Sequence, residues 1–313
     1  MIEIILHNYP QSPVAEKVRV ALGIKGAAWR SVEIPRIPPK PNLVKLTGGY
    51  RRTPVMQIGA DIYCDSQRIM NELDARTAEA PLYPPAGTAM AALARSLGAW
   101  TDGALFSLAV KLVLGSAGDA LPADFAEDRG RLYLGPDWAE GLKAANADLP
   151  HLAAQMRAAL ARIDAGLAGD EPFLNGATPG AVDAQVYHVV WFIRGRWDKG
   201  AALLAEFDAL LAWEARIRAL GHGDVADLSA EDAIGVAAEA SPAHPQGVAP
   251  GDPQGLTVGV KAVVRPDVDG GEQPVEGTIW SADANAVAIL REDPEIGQVC
   301  VHFPRAGYRV DLT

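Results

Sequence analysis

The chain has 313 residues, 49% of them apolar, and a formal net charge of −11. That length points to two or three domains, with enough apolar residues for a full core. The acidic balance argues against nucleic acid or an anionic membrane as a partner.

From the N-terminus, Ile2 to Leu6 reads as a short buried strand. It has no basic start and no cleavage signal before it. A turn, His7 to Gln11, leads to Ser12-Pro13, which opens a helix with a hydroxyl at the cap and proline at the first helical position. Val14, Val18, Ala21 and Leu22 form its buried stripe. Trp29 to Ile34 is a second strand, and strand–helix–strand at this spacing predicts a right-handed crossover with parallel strands. A proline-rich loop, Pro35 to Pro41, and a short helix near Leu43 lead into a hairpin. It reads from the stretch Arg51 to Ile58, through the turn Gly59-Ala60-Asp61, to the second run Ile62 to Ser66. Asp65-Ser66 then opens a helix from Gln67 to about Ala75, with Ile69, Met70 and Leu73 at helical spacing.

Two features of this segment carry chemistry. Pro54 stands at the first position of a strand, where a sheet tolerates it. With a cis Thr53–Pro54 bond, the main chain of Thr53 would turn outward and could pair with an extended peptide. At the other arm, the first N–H groups of the helix after Asp65-Ser66 lack intrahelical partners and favour an anion. A plain helix cap reads the same way. Between Glu33 and Asp61 there is no acidic residue, while Arg36, Lys40, Lys45, Arg51 and Arg52 all lie there. This is either a solvated basic loop or a site for a small anion.

Three motifs in order, Ser12-Pro13-Val14-Ala15-Glu16-Lys17-Val18-Arg19, Thr53-Pro54-Val55 and Asp65-Ser66-Gln67-Arg68-Ile69, resemble the thioredoxin-like domain of the glutathione transferase family. The resemblance implies an α+β multidomain protein with a thioredoxin-like β-α-β-β-β-α domain at residues 1–80. It also implies a role for each matched position. Thr53 and Pro54 would bind the cysteinyl backbone of glutathione, and Asp65 and Ser66 its γ-glutamyl end. Arg52, with Arg51 or Lys40, would take its glycine carboxylate. Ser12 would be the catalytic hydroxyl, with Tyr9 as the competing one; alternatively Ser12 only caps the helix. Holding a thiol of pKa ~8.5 as thiolate near pH 6.5 needs roughly 2.7 kcal/mol. A hydrogen bond to a charged group supplies about 1.5–3 kcal/mol, and a helix N-terminus about 0.3–1, so no base is required. Neither Ser12 nor Ala15 is a cysteine, which argues against a dithiol oxidoreductase of the same fold.

Pro81 to Gly87 reads as a linker. Residues 88–223 read as helical, with the clearest segments at Met90 to Leu114, Asp148 to about Gly166, Val182 to Arg194 and Glu206 to Leu220. This fits the family's all-helical second domain. Its usual Ser/Thr-x-x-Asp box is Gly180-Ala181-Val182-Asp183 here, with Asp183 in place and glycine at the cap. The longest apolar run, Ala104 to Leu114, is broken by Lys111 and falls short of the ~18 residues of a membrane span. Residues 224–255 read as a linker, and 256–313 as a small all-β domain of five short strands, barrel-like and outside the resemblance. Cys64 and Cys300 form no metal or disulfide pattern, so no metal is expected and a reducing, cytoplasmic setting is. The resemblance implies a homodimeric transferase in which the thiolate of glutathione, as co-substrate, attacks a small hydrophobic electrophile. The alternatives are a non-catalytic protein that binds glutathione or an apolar ligand, and an interaction protein acting through the β-module.

Overall fold

A computed structural model describes residues 3–76, 80–268 and 270–313, apart from the side chain of Asp119. The elements run β1 (Ile5–Asn8), α1 (Pro13–Ile24), β2 (Ala28–Glu33), α2 (Pro41–Thr47), β3 (Val55–Ile58), β4 (Asp61–Cys64) and α3 (Ser66–Arg76). The first strand begins later than the apolar run predicts, and Ile2 lies outside the described residues. A helical series follows: α4 (Ala89–Trp100), a π turn at Thr101–Leu105, α5 (Phe106–Ala117), α6 (Ala123–Leu134), α7 (Trp138–Ala147), α8 (Leu149–Leu167), α9 (Ala181–Arg196), α10 (Gly200–Leu204) and α11 (Asp208–Ala219). The chain closes with β5 (Asp224–Asp227), α12 (Ala230–Ala238), β6 (Gly247–Val248), β7 (Lys261–Pro266), β8 (Val275–Ala282), β9 (Ala286–Asp293), β10 (Gly297–Pro304) and β11 (Tyr308–Leu312).

Two compact units result. One comprises Met1–Ala15, Ala28–Leu73 and Asp224–Thr313; the other comprises Glu16–Ala27 and Asp74–Gly223. The first unit is built on an eleven-stranded sheet in the order β11-β7-β8-β9-β10-β4-β3-β1-β2-β5, with β6 paired to β8. β1 and β2 are parallel, as a βαβ crossover demands, and β3 and β4 form the expected hairpin.

The β-rich C-terminal region is present, but its expected independence is corrected. β10 lies parallel to β4, with Cys300, Val301 and His302 opposite Asp61, Ile62 and Tyr63. The segment from Asp224 to Gly255 is not a plain linker, since it supplies β5, parallel to β2, then α12 and the short β6. The physical reason lies in β10 itself. Val299 to Phe303 is buried at every position, and a strand buried on both faces needs neighbours and cover that a small barrel wall lacks. Pairing with β4 also removes an apolar sheet edge, which is otherwise an aggregation hazard. Ile62 and Tyr63 are fully buried as a result.

A polar knot secures this seam. Asp61 accepts from His302 Nε2 (2.8 Å) and from the backbone N–H groups of Ala243 (2.7 Å) and His244 (3.3 Å). His302 also stacks on Tyr63 at 4.4 Å. Burial pushes the Asp61 carboxyl up, but these donors outweigh it and hold the group below its ordinary value. Burial drives His302 down to about 4, so the pair is a carboxylate and a neutral imidazole at pH 7.

In the helical unit, α9 is buried on nearly all sides and anchored by Asp183. Its carboxylate accepts from the N–H groups of Leu174 (2.8 Å), Asn175 (3.3 Å) and Gly180 (2.9 Å), and from Trp213 Nε1 (2.8 Å). The glycine at the cap has a reason. A Cβ at Gly180 would lie 2.5 Å from the Asn175 side-chain amide, so Asn175 fills the space that a serine cap would use. The composite helix Ala89–Ala117 is long and apolar enough to cross a membrane by length and composition, and half of its most apolar window is buried inside the protein. The sequence places a helix here, at Met90 to Leu114, in which no unbroken apolar run has the length of a membrane span. Around the π turn, Asp102 binds the fully buried Lys17 ammonium at 2.5 Å.

Candidate functional site

Strand register gathers the candidate residues. His7 in β1 lies opposite Val55 in β3, and Val55 lies opposite Cys64 in β4. The turn after β1, the Thr53-Pro54 unit before β3 and the Asp65-Ser66 pair after β4 therefore leave the sheet at one end. Three local features, far apart in sequence, become neighbours through alignment alone.

Ser12 closes the turn, its N–H donating to Tyr9 O at 3.1 Å. Its Oγ accepts the Ala15 N–H at 3.2 Å, and the residue is 2% exposed. Ser12 is thus a helix cap in fact, through a lone pair on oxygen; a thiolate would need its hydrogen instead. Tyr9 lies beside it and is also buried. The Lys40 ammonium sits 5.8 Å from the centre of the Tyr9 ring. From there it donates to Arg51 O (3.0 Å) and Thr53 Oγ1 (3.1 Å). The Thr53–Pro54 peptide is cis. Lys40 is 4% exposed, so it works as an internal brace on the Thr53 loop and does not reach out as a surface cation.

Asp65 has φ 75°, a left-handed conformation that a non-glycine residue adopts at some cost. Its Oδ1 accepts the Gln67 N–H at 2.9 Å and so caps α3, while Ser66 is the buried first residue of that helix. The other carboxylate oxygen, Oδ2, accepts from the Tyr308 hydroxyl at 3.2 Å. The Tyr50 hydroxyl lies 3.2 Å from that of Tyr308. Burial, and then the nearby Asp65 charge, push the Tyr50 phenol well above its ordinary value. Burial likewise raises Tyr308, so both stay protonated donors.

The two arginines have partners that the sequence did not disclose. Arg52 Nε donates to the carboxylate of Glu272, and its Nη2 to Val268 O at 3.1 Å. Arg51 Nη2 donates to Gly270 O at 2.6 Å. Burial would lower the Arg52 pKa, but the hydrogen bond and charge of Glu272, together with the neighbouring Tyr50 and Tyr308, outweigh it, and the guanidinium stays charged. Glu272 comes from the connection between β7 and β8 and Tyr308 from β11, both within the C-terminal region that the sequence predicts to be a separate domain. The one available signal was the unbroken run Val299-Cys300-Val301-His302-Phe303, the mark of a strand inside a larger sheet.

Neither cysteine offers a thiolate. Cys64 is fully buried and raised well above its ordinary value by burial and then by Asp65, and burial raises Cys300. Asp61, Cys300 and His302 offer three ligand-type atoms within 4.8 Å. Yet the Asp61 oxygens are spent on His302 and two backbone donors, so the group serves as the sheet seam. Of the aromatic residues in the helical unit, Phe106 and Tyr133 meet edge-on at 5.7 Å.

Residues 6–81 match the family model described as "Glutathione S-transferase, N-terminal domain". A crystal structure of a GST-like protein from Pseudomonas syringae is 34% identical, with all of both chains covered and a TM-score of 0.80. A tau class glutathione S-transferase from mango, Mangifera indica, is 20% identical, covering 69% of this chain and 88% of its own, with a TM-score of 0.51. Poplar glutathione transferase F1 is 15% identical over 69% of this chain and 92% of its own, with a TM-score of 0.52. The last two likenesses speak to the fold alone. The first spans the whole chain, C-terminal strands included. No curated protein matches the chain.

Proposed function

Because this chain belongs to the glutathione S-transferase family, we propose that it is a glutathione-dependent transferase with its thiol-peptide site at the sheet end formed by Ser12, Thr53, Pro54, Asp65 and Ser66. The observation that carries this reading is the strand register that brings these residues to one end. Thr53 and Pro54 hold the cysteinyl backbone of glutathione. Asp65 and Ser66, at the start of α3, hold its γ-glutamyl ammonium and carboxylate, with the helix N-terminus favouring the carboxylate. Lys40 acts through Thr53 as a positioning residue. The Ser12 hydroxyl donates to the sulfur and lowers its pKa. The thiol proton leaves to water, and the thiolate sulfur bonds to the electrophilic carbon of a small hydrophobic substrate as the bond from that carbon to a leaving group such as chloride breaks and the anion departs to solvent. A cytoplasmic homodimer belongs to the same reading.

The tight placement of Ser12 gives a second reading some support. A buried serine whose hydroxyl already serves as a cap suits a protein that holds glutathione without activating it. Ser12→Ala separates the two. Under the transferase reading, conjugation of a chloronitrobenzene falls on the order of a hundredfold, as loss of about 2.7 kcal/mol implies, while glutathione still binds. The absorbance of bound thiolate near neutral pH disappears with it. Binding by the parent protein without conjugation or a thiolate signal assigns it to the second reading. Loss of the cap costs about 1 kcal/mol of stability in either case.

A further inference from the structure

The segment between β7 and β8 meets Arg51 and Arg52, the residues to which the family resemblance assigns the glycine carboxylate of glutathione. Glu272 puts one carboxylate oxygen on Arg52 Nε and accepts the Gly270 N–H with the other at 3.0 Å. Its side chain is only 3% exposed, while that of Arg52 is 29% exposed. Val268 O takes a second Arg52 donor, and Gly270 O is held by Arg51. Both arginines immediately before Thr53 are thus tied to one short stretch of this same chain. The charge of Arg52 is matched before any ligand arrives.

We infer that Glu272 tunes the third-residue preference of this glutathione-type site, favouring a γ-glutamylcysteinyl thiol that ends in a neutral group such as a carboxamide over the free glycine carboxylate of glutathione, which still binds, more weakly. The inference rests on the thiol-peptide reading proposed above. A carboxylate brought to Arg52 meets the like charge of Glu272, which disfavours the ionised form. Displacing Glu272 instead removes its Gly270 N–H bond and strands a buried carboxylate. A carboxamide avoids both costs, because it brings no charge and its carbonyl still accepts from the exposed part of the guanidinium.

The test is calorimetric titration of the full chain with glutathione and with its glycine amide, in the wild type and in Glu272→Gln. Wild-type protein is expected to bind the amide roughly tenfold or more tightly than glutathione, and Glu272→Gln to bind glutathione roughly tenfold better with little change for the amide. Equal or tighter binding of glutathione by the wild type overturns the inference, and that comparison stands even if the variant does not fold. An unchanged amide-to-glutathione ratio in a folded Glu272→Gln overturns it too, while leaving the thiol-peptide reading intact. If neither peptide binds either protein, the thiol-peptide reading itself fails and the inference falls with it.

Discussion

Asp183 offers the sharpest test of how the helical unit is held together. One carboxylate oxygen serves Leu174 N–H and Trp213 Nε1 at 2.8 Å each. The second serves Gly180 N–H at 2.9 Å and Asn175 N–H at 3.3 Å. Asp183→Asn keeps one oxygen and turns the other into an NH2 facing two N–H groups. Two buried donors are stranded at about 1–3 kcal/mol each. Some of this is recovered, because burial already penalises the charged carboxylate and raises its pKa. The expected net loss is about 3 kcal/mol, with Asp183→Ala worse, since all four donors then lose their partner. Trp213 is fully buried and reports directly on the unit, so urea titration followed by tryptophan fluorescence reads the effect. At a slope of ~2–3 kcal/mol per molar urea, the midpoint should fall by about 1 M. A shift of Asp183→Asn by less than about a third of that would refute the reasoning, and the exposed Glu140→Gln, with an unchanged midpoint, serves as control.

Acid should destabilise the fold well above the carboxylate range. His7, His188 and His302 are each held down to about 4 by burial. The unfolded chain therefore takes up protons first, and stability falls as pH drops from ~6.5 toward 4, by on the order of 1–2 kcal/mol per histidine between pH 7 and 5. Equal denaturation midpoints at those two pH values would contradict this. Asp102→Asn strands the buried Lys17 ammonium and should cost about 2–4 kcal/mol. The pair Lys17→Met with Asp102→Leu should regain most of that in a thermal melt, and no regain would rule out the buried charge as the cause. Truncation after Gly247 removes β7 to β11 and exposes Ile62 and Tyr63 along β4. The shortened chain should aggregate on size-exclusion, whereas a soluble monomer with an intact N-terminal unit would mean that the C-terminal strands are an appendage.

The parts legible in the sequence are those whose signal is local. The Ser12-Pro13 helix start, the β3–β4 hairpin and the helical series each carry a periodicity, a cap or a turn residue that decides them. The missed parts lack such a mark. β5, Asp224-Val225-Ala226-Asp227, is exposed at all four positions, so it has no apolar alternation, and only the parallel edge of β2 makes it a strand. Helix α12 lies among the prolines and glycines of an apparent linker. Its Ala233 main chain accepts from the Gln57 side chain at 2.8 Å, a pairing 176 residues long that no window of sequence contains. The partners of the candidate site were hidden for the same reason. Arg52 and Glu272 are 220 residues apart, and nothing near either one announces the other.

That separation bears on what the C-terminal strands are for. A domain that merely followed the transferase-like portion would leave the basic segment before Thr53 facing water, ready for any small anion. Here β10 is stitched to β4 through Asp61 and His302, and the same strands deliver Tyr308 to Asp65 and, through the β7–β8 connection, Glu272 to Arg52. Both ends of the proposed peptide site, the γ-glutamyl end and the third-residue end, therefore share side chains with the C-terminal strands. Changes in residues 256–313 should act on ligand choice as well as on stability, and the two effects separate by position. Substitutions at the Asp61–His302 seam should shift the melting temperature with little change in ligand ranking. Substitutions at Glu272 should change the ranking more than the melt, because Arg52 is partly open to water while Asp61 and His302 are sealed from it.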